Sequence, residues 1–171
     1  GFAEDNLLGS GNQLQAEYYN DSERDGFQLR FVSPNIFGHH WRTSMFYADN
    51  SDGESYLFNL EKPFYWLNSE RAYGFTMAKT IKDISEYTLG DEVNEYQSKT
   101  EFLNVHTGWK ISQQRHVVQH LLVGATLDES QFAANDQSIW PVPIDRDLSR
   151  LWLGWELHES DYQKLHNFFL F

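Results

Sequence analysis

Asn12 to Leu67 reads NQLQAEYYNDSERDGFQLRFVSPNIFGHHWRTSMFYADNSDGESYLFNLEKPFYWL. Four runs in it alternate apolar with polar residues, and turn-rich breaks separate them. A period of two gives pleated strands with two unlike faces. Short breaks between such strands make them antiparallel neighbours. Leu14, Ala16 and Tyr18 share one face of the first run, and Gln13, Gln15, Glu17 and Tyr19 share the other. Asp25-Gly26 is a strong turn signal. Phe27, Leu29 and Phe31 then alternate with Gln28, Arg30 and Val32. Pro34, which lacks an N–H for the ladder, stops that strand. Trp41, Thr43, Met45 and Tyr47 alternate with His40, Arg42, Ser44 and Phe46. Tyr56, Phe58 and Leu60 alternate with Leu57, Asn59 and Glu61, and Pro63 closes the fourth run.

Outside this stretch the period persists. Gly1 to Gly11 ends a partial strand in a Gly-rich turn. Tyr73, Phe75 and Met77 alternate with Ala72, Gly74, Thr76 and Ala78. Leu103, Val105, Thr107 and Trp109 alternate with Asn104, His106 and Gly108. Val117 to Leu127 and Leu151 to His158 are further strands, and the residues after Glu159 suggest a turn and another strand. Lys82 to Ser98 and Asp128 to Asp147 read as long polar breaks, whereas PNIFG, KPFYWLN and SQQR are short. No segment has a convincing helical period. The expected fold is all-β: one domain, an antiparallel up-and-down meander, and a transmembrane β-barrel or part of one, with short turns at one end and longer loops at the other.

Composition narrows the function. The chain has 171 residues, enough for one domain with a sizeable core. Its net charge of −12 argues against nucleic acid, which needs clustered Lys and Arg. Cysteine is absent, which excludes disulfides and thiolate chemistry. The acidic residues gather in the breaks and read as solvated loops rather than Ca²⁺ sites. No run approaches the roughly 18 apolar residues of a membrane helix, and no signal peptide is visible, so a mature chain or an excised piece is expected. Aromatic residues make up 16% of the chain. Amphipathic rings gather where one end is apolar and the other wet, as at a membrane interface or in a sugar groove. A mean hydropathy of −0.60 is ordinary for a barrel, in which half of each strand is polar.

The two faces differ in what they can meet. From Leu14 to Leu60 one face carries no charge, and its aromatics cluster towards strand ends. Tyr18, Phe27, Phe31, Trp41, Tyr47, Tyr56, Phe58 and Trp155 are therefore expected to face lipid or its interfacial girdles. The other face holds Gly74, Gly108, Gly124 and Gly154, which suit a crowded lumen. Pairing the hairpins about their turns sets Glu17 opposite Arg30 and Arg42 opposite Glu61. If Arg30 and Arg42 are neighbours, an ion-pair row Glu17–Arg30–Arg42–Glu61 lines the lumen.

EDNLLGSGNQL, FVSPNIFG and HHWRTSMFYADNSDGESYLFNLEKPFYWLNS resemble the barrel of the BamA/TamA family of outer-membrane assembly proteins, the bacterial surface antigen family. That family repeats a strand-end motif, an aromatic or aliphatic residue followed by x-x-P-[YN]-x-F. Phe31 to Phe37 and Leu60 to Trp66 occupy such ends. The resemblance covers most of the chain, weakening towards Lys164. It implies a barrel of about sixteen strands behind periplasmic POTRA domains, inserting or translocating outer-membrane proteins in the bacterial outer membrane. It also implies that PNIFG and KPFYWL are periplasmic turns, while DSERDG, DNSDGE and the two long breaks face outside. No POTRA-like segment precedes the strands, and the family's Arg-Gly-aromatic loop motif and later strands are absent, so the match is to the first half of such a barrel. Phe169 and Phe171 echo the aromatic end of outer-membrane proteins without its Gly. The implied partners are outer-membrane lipid and unfolded outer-membrane protein clients, with self-association through open strand edges.

No enzyme chemistry is expected. Phosphate loops and nucleophile elbows are absent. His39 and His40 are expected to point to opposite faces of a strand. His116 and His120 share a face but stand about 13 Å apart. No metal or other cofactor is expected. The competing readings are a soluble β-barrel or sandwich binding carbohydrate or an apolar ligand in one aromatic groove, and a diffusion pore.

Overall fold

The structure, a computed structural model, describes residues 1–20, 25–66, 68–89, 91–114, 116–135, 138–139 and 141–159, and the backbone alone of Glu92. Among the described residues ten strands form one sheet: β1 (Phe2–Leu7), β2 (Asn12–Asn20), β3 (Asp25–Ser33), β4 (Arg42–Asn50), β5 (Gly53–Lys62), β6 (Arg71–Thr88), β7 (Asp91–Gln114), β8 (Val117–Ala134), β9 (Arg146–Asp147) and β10 (Arg150–Glu159). The spatial order is β1-β2-β3-β4-β5-β6-β7-β8-β10, with the two-residue β9 on β8. Every pairing is antiparallel, so the fold is an up-and-down meander. Among the described residues there is no helix. The turn and strand expected after Glu159, with Phe169 and Phe171, lie outside the described residues, as do Asp21 to Arg24, Leu67 and Arg115.

Local chemistry explains the turns. After β1, the Asn6 side chain accepts the Gly11 N–H at 2.7 Å, and Leu8, Gly9 and Gly11 take left-handed φ of 53°, 73° and 72°. After β3, Asn35 accepts the Gly38 and His40 N–H groups. His39 and His40 sit in that turn with φ of 54° and 65°, not on opposite faces of a strand, because β4 begins only at Arg42. Gly53 opens β5 with φ of 141°, and a Cβ there would stand 2.8 Å from the Lys82 Cα. Gly53→Ala is therefore expected to cost about 1–3 kcal/mol, read as a lowered urea midpoint. An unchanged midpoint would contradict this turn geometry.

Glu17 faces Gln28 and Arg30 faces Gln15, so the register of the first hairpin differs by two residues from the expected one. A two-residue slip keeps each side chain on its face but changes its partner. The observed register puts Gly26 between Tyr19 and Asn50. The Tyr19 hydroxyl donates to the Asn50 side chain directly over Gly26, where a Cβ would collide with the Asn50 oxygen. Arg42 does pair with Glu61, at 3.3 Å. Arg30 stands beside Phe46, four residues from Arg42 along β4. All four charges share the polar face, but the continuous row Glu17–Arg30–Arg42–Glu61 does not form. Glu17 instead accepts the Gln28 amide at 2.7 Å.

The first long polar break is almost wholly strand, and the second begins as one. Lys82 to Ser98 continues β6 into β7, paired from Lys82↔Ser98 to Thr88↔Asp91. Asp128 to Ala134 continues β8 against β7. Along most of their length both faces are polar, so periodicity gives no sign of them; ladder hydrogen bonds and cross-strand pairs hold them, among them Tyr96 against Phe132 with ring centroids 6.0 Å apart. The connection onward to β10 is tied down as well. Phe132 N–H donates to Asp145 Oδ1 at 2.8 Å, and Ile139 N–H to Asn94 Oδ1 at 3.1 Å. Bonds from the Ser149 hydroxyl and N–H hold the Asp147 carboxyl below its ordinary value.

A single layer leaves little interior. The accessible surface is 12674 Å², against about 8,700 Å² for a globular protein of this mass. Among the described residues, the buried apolar side chains are Ala48, Ala72, Tyr96 and Val118. A sheet with so small a core holds its shape through ladders and through side chains packed along its faces.

Candidate functional site

Following paired residues across the sheet, one row runs Leu14, Phe31, Met45, Phe58, Met77, Leu103 and Leu127. Seven strands contribute, and each contributes an apolar side chain. Met45, Met77 and Leu127 are 41%, 50% and 50% exposed, and among the described residues no second layer covers them. The neighbouring rows on this face add Tyr18, Phe27, Tyr47 and Tyr56 towards the β2–β3 turn. Towards the other end they add Phe75, Val105, Val123, Leu153 and Trp155. Trp41 joins this face by stacking on Tyr73, with centroids 6.1 Å apart. All eight side chains expected to face lipid or a girdle thus share one uncovered face.

Charges on this face fall at the margins. Asp49 pairs with Glu54 beyond Tyr47 and Tyr56, and the Tyr56 hydroxyl donates to Glu54 at 2.7 Å. Lys79 and Lys99 both contact Glu101, at 3.6 and 3.0 Å, one step beyond Met77 and Leu103. Lys62 and Arg71 mark the opposite margin, and Glu4 stands beside Leu14 on β1. The result is a belt: apolar in the middle, rings at the edges with polar tips outward, then charge. Such a band matches the lipid-facing surface of a membrane barrel.

The belt is oblique to the pairing rows. In β2 it is centred on Ala16, one step to one side of the seven-residue row. In β10 it spans Leu151 to Leu157, wholly on the other side. The drift is roughly one residue per strand. With a rise of about 3.3 Å per residue and about 4.8 Å between strands, a level belt then requires strands tilted by about 35°. Closed barrels have strand tilts of that size. A patch made merely to bury the sheet under a second layer has no reason to follow this angle.

The opposite face is polar and crowded. Asn59 donates to Thr76 at 2.9 Å and Asn104 to Thr126 at 2.8 Å, both across neighbouring strands. Trp152 Nε1 donates to the same Thr126 hydroxyl at 3.2 Å. Two of the glycines seat rings: a Cβ on Gly74 would stand 2.0 Å from the His106 ring, and one on Gly124 2.3 Å from the Trp152 ring. His106 of β7 and Trp152 of β10 approach to 5.8 Å across Gly124 of β8. Phe64, from the turn after β5, reaches over Gly108 to stack on His120 of β8 at 3.7 Å. Side chains that meet across intervening strands converge, as on the inner surface of a curved sheet. Sequence reasoning expected the crowding but missed Phe64, which lies in a turn with no periodic signal.

Arg42 and Glu61 lie on this face with side chains 47% and 35% exposed. So exposed a pair contributes on the order of 0.2–1 kcal/mol. The sheet's ends carry the other feature of note. Among the described residues β1 pairs only with β2, and β10 pairs only with β8. Each therefore offers a row of backbone donors and acceptors to a further strand. Comparison with protein-family models, with curated proteins and with solved structures gave no match.

Proposed function

We propose that this chain is a stretch of outer-membrane β-barrel wall, of the kind that BamA/TamA-type assembly proteins use to insert or translocate outer-membrane proteins. The observation that carries the reading is the oblique, uncovered apolar belt with aromatic and charged margins. Lipid is the solvent that suits it. The resemblance of EDNLLGSGNQL and of the proline turns supports the assembly role, and the edges of β1 and β10 suit it chemically. An incoming strand of an unfolded client gains ladder hydrogen bonds by adding to such an edge. The role is structural rather than catalytic, and its setting is the bacterial outer membrane. A sugar-binding groove would gather the rings in one place, whereas here they are spread over seven strands and more.

The expected behaviour is extraction from membranes only with detergent and faster migration of the unboiled than the boiled protein on a denaturing gel. A chain that is monomeric in buffer without detergent, with no mobility shift, would overturn the membrane reading. For the assembly role, a cysteine placed at Ala3 in β1 is expected to cross-link to a client strand during folding into vesicles. Client folding at the same rate with and without the chain, and no cross-link, would remove that part of the proposal while leaving the barrel.

A further inference from the structure

We propose that His120, Glu156 and His158 form a binding site for a divalent transition metal, of which Zn²⁺ is the representative, clasping β10 to β8 on the polar face. Glu156 is the direct partner of His120 across the ladder, and His158 is two residues further along β10 on the same face. One donor atom from each of the three lies within 4.8 Å of the other two. His158 Nε2 and Glu156 Oε2 are 3.2 Å apart, and the His120 and His158 ring centroids 5.4 Å.

His120 supplies the second, independent observation. It is 2% exposed, and neither ring nitrogen has a hydrogen-bond partner among the described residues. A buried imidazole without a partner bears the full desolvation penalty of its nitrogens. Phe64 stacks on the ring at 3.7 Å and 17°, which fixes the ring plane. A metal bound to one nitrogen would satisfy the group that nothing else does.

The donor set decides the class of ion. Two imidazoles and one carboxylate suit Zn²⁺ and its neighbours, whereas Ca²⁺ and Mg²⁺ prefer all-oxygen cages. Bonds of about 2.0–2.1 Å to a tetrahedral ion set donors about 3.4 Å apart. Glu156 and His158 are exposed, so rotation of their side chains can close the remaining ångström. Lys110 opposes the ion, since it faces His120 from β7, and its ammonium donates to Gln113 at 3.2 Å. The Glu156 carboxylate offsets that charge. The clasp would act at one edge of the sheet, where β8 is the only strand that holds β10 among the described residues. Alternation along one strand offers His120 only His116, about 13 Å away; its neighbours here come from β10, across a long connection. This inference stands whether or not the belt meets lipid.

The test is titration of the full chain, folded in detergent, with Zn²⁺ against a chromogenic chelator, and with Co²⁺ for its tetrahedral absorption. One saturable equivalent is expected, abolished in His120→Phe and weakened at least tenfold in His158→Gln and in Glu156→Gln. His39→Ala/His40→Ala should bind as the parent does. His158 and Glu156 are exposed, so their variants keep the test sound even where His120→Phe folds poorly. Zn²⁺ should also raise the urea midpoint of the parent but not of His158→Gln. No saturable binding, or binding undiminished in His158→Gln and Glu156→Gln, would overturn the site.

Discussion

Val105→Arg is expected to cost about 2–4 kcal/mol of folded stability in lipid vesicles, measured by reversible denaturant titration. Val105 is 49% exposed and lies near the middle of the belt in β7, between Phe75 and Ala125. In water, replacing so exposed a valine by arginine changes stability by within about 0.5 kcal/mol. In hydrocarbon the guanidinium must be carried to the membrane midplane or drag water with it. The two settings thus predict different magnitudes for one substitution. Asn104→Arg, on the opposite face, has no lipid to meet and should not show the same depth-dependent penalty. A Val105→Arg chain as stable in vesicles as its parent would contradict the assignment of the outer face.

Phe64→Ala carries the second large effect, expected at about 3 kcal/mol, the low end for a core aromatic because this ring is only half-buried. Its ring lies 3.7 Å from the His120 ring and over Gly108, where a Cβ would meet the Phe64 Cζ at 2.9 Å. Removing it uncovers the His120 ring, which is 2% exposed. It also cuts the contact between the turn after β5 and β8, three strands away. Phe64→Leu, which keeps most of the volume, should cost less than about 1.5 kcal/mol. A Phe64→Ala loss within about 0.5 kcal/mol, the range of ordinary surface positions, would mean that the ring does not seat on the sheet.

The strands of the central stretch were legible because each has unlike faces. Asn12 to Asn20 is bounded as its alternation and turn residues indicate. Pro34 and Pro63 mark real strand ends. What alternation cannot supply is partner choice. Glu17 and Arg30 looked complementary, but the Tyr19–Asn50 bond over Gly26 sets a register two residues away. Alternation is silent too where both faces are polar, so Lys82 to Ser98 looked like a loop and is a hairpin. The glycines on the polar face signalled crowding, yet not which rings fill them. His106, Trp152 and Phe64 come from elements far apart in the chain. The same limit hid the His120–Glu156–His158 cluster, since its members meet only through the pairing of β8 with β10.

On the proposed reading one face of this sheet lies in lipid, with the strands tilted so that the oblique belt is level. The chain has no cysteine, so single cysteines can be introduced and spin-labelled without competition. Ala16 in β2, Phe58 in β5 and Leu153 in β10 lie near the belt's centre in their strands, yet occupy three different pairing rows. The most direct measurement is the depth of nitroxides at these three positions in vesicles, from collision with oxygen against a water-soluble relaxant. Three equal, deep readings are expected. Labels that the aqueous relaxant reaches freely, or depths that rise steadily from Ala16 to Leu153, would contradict the placement in lipid.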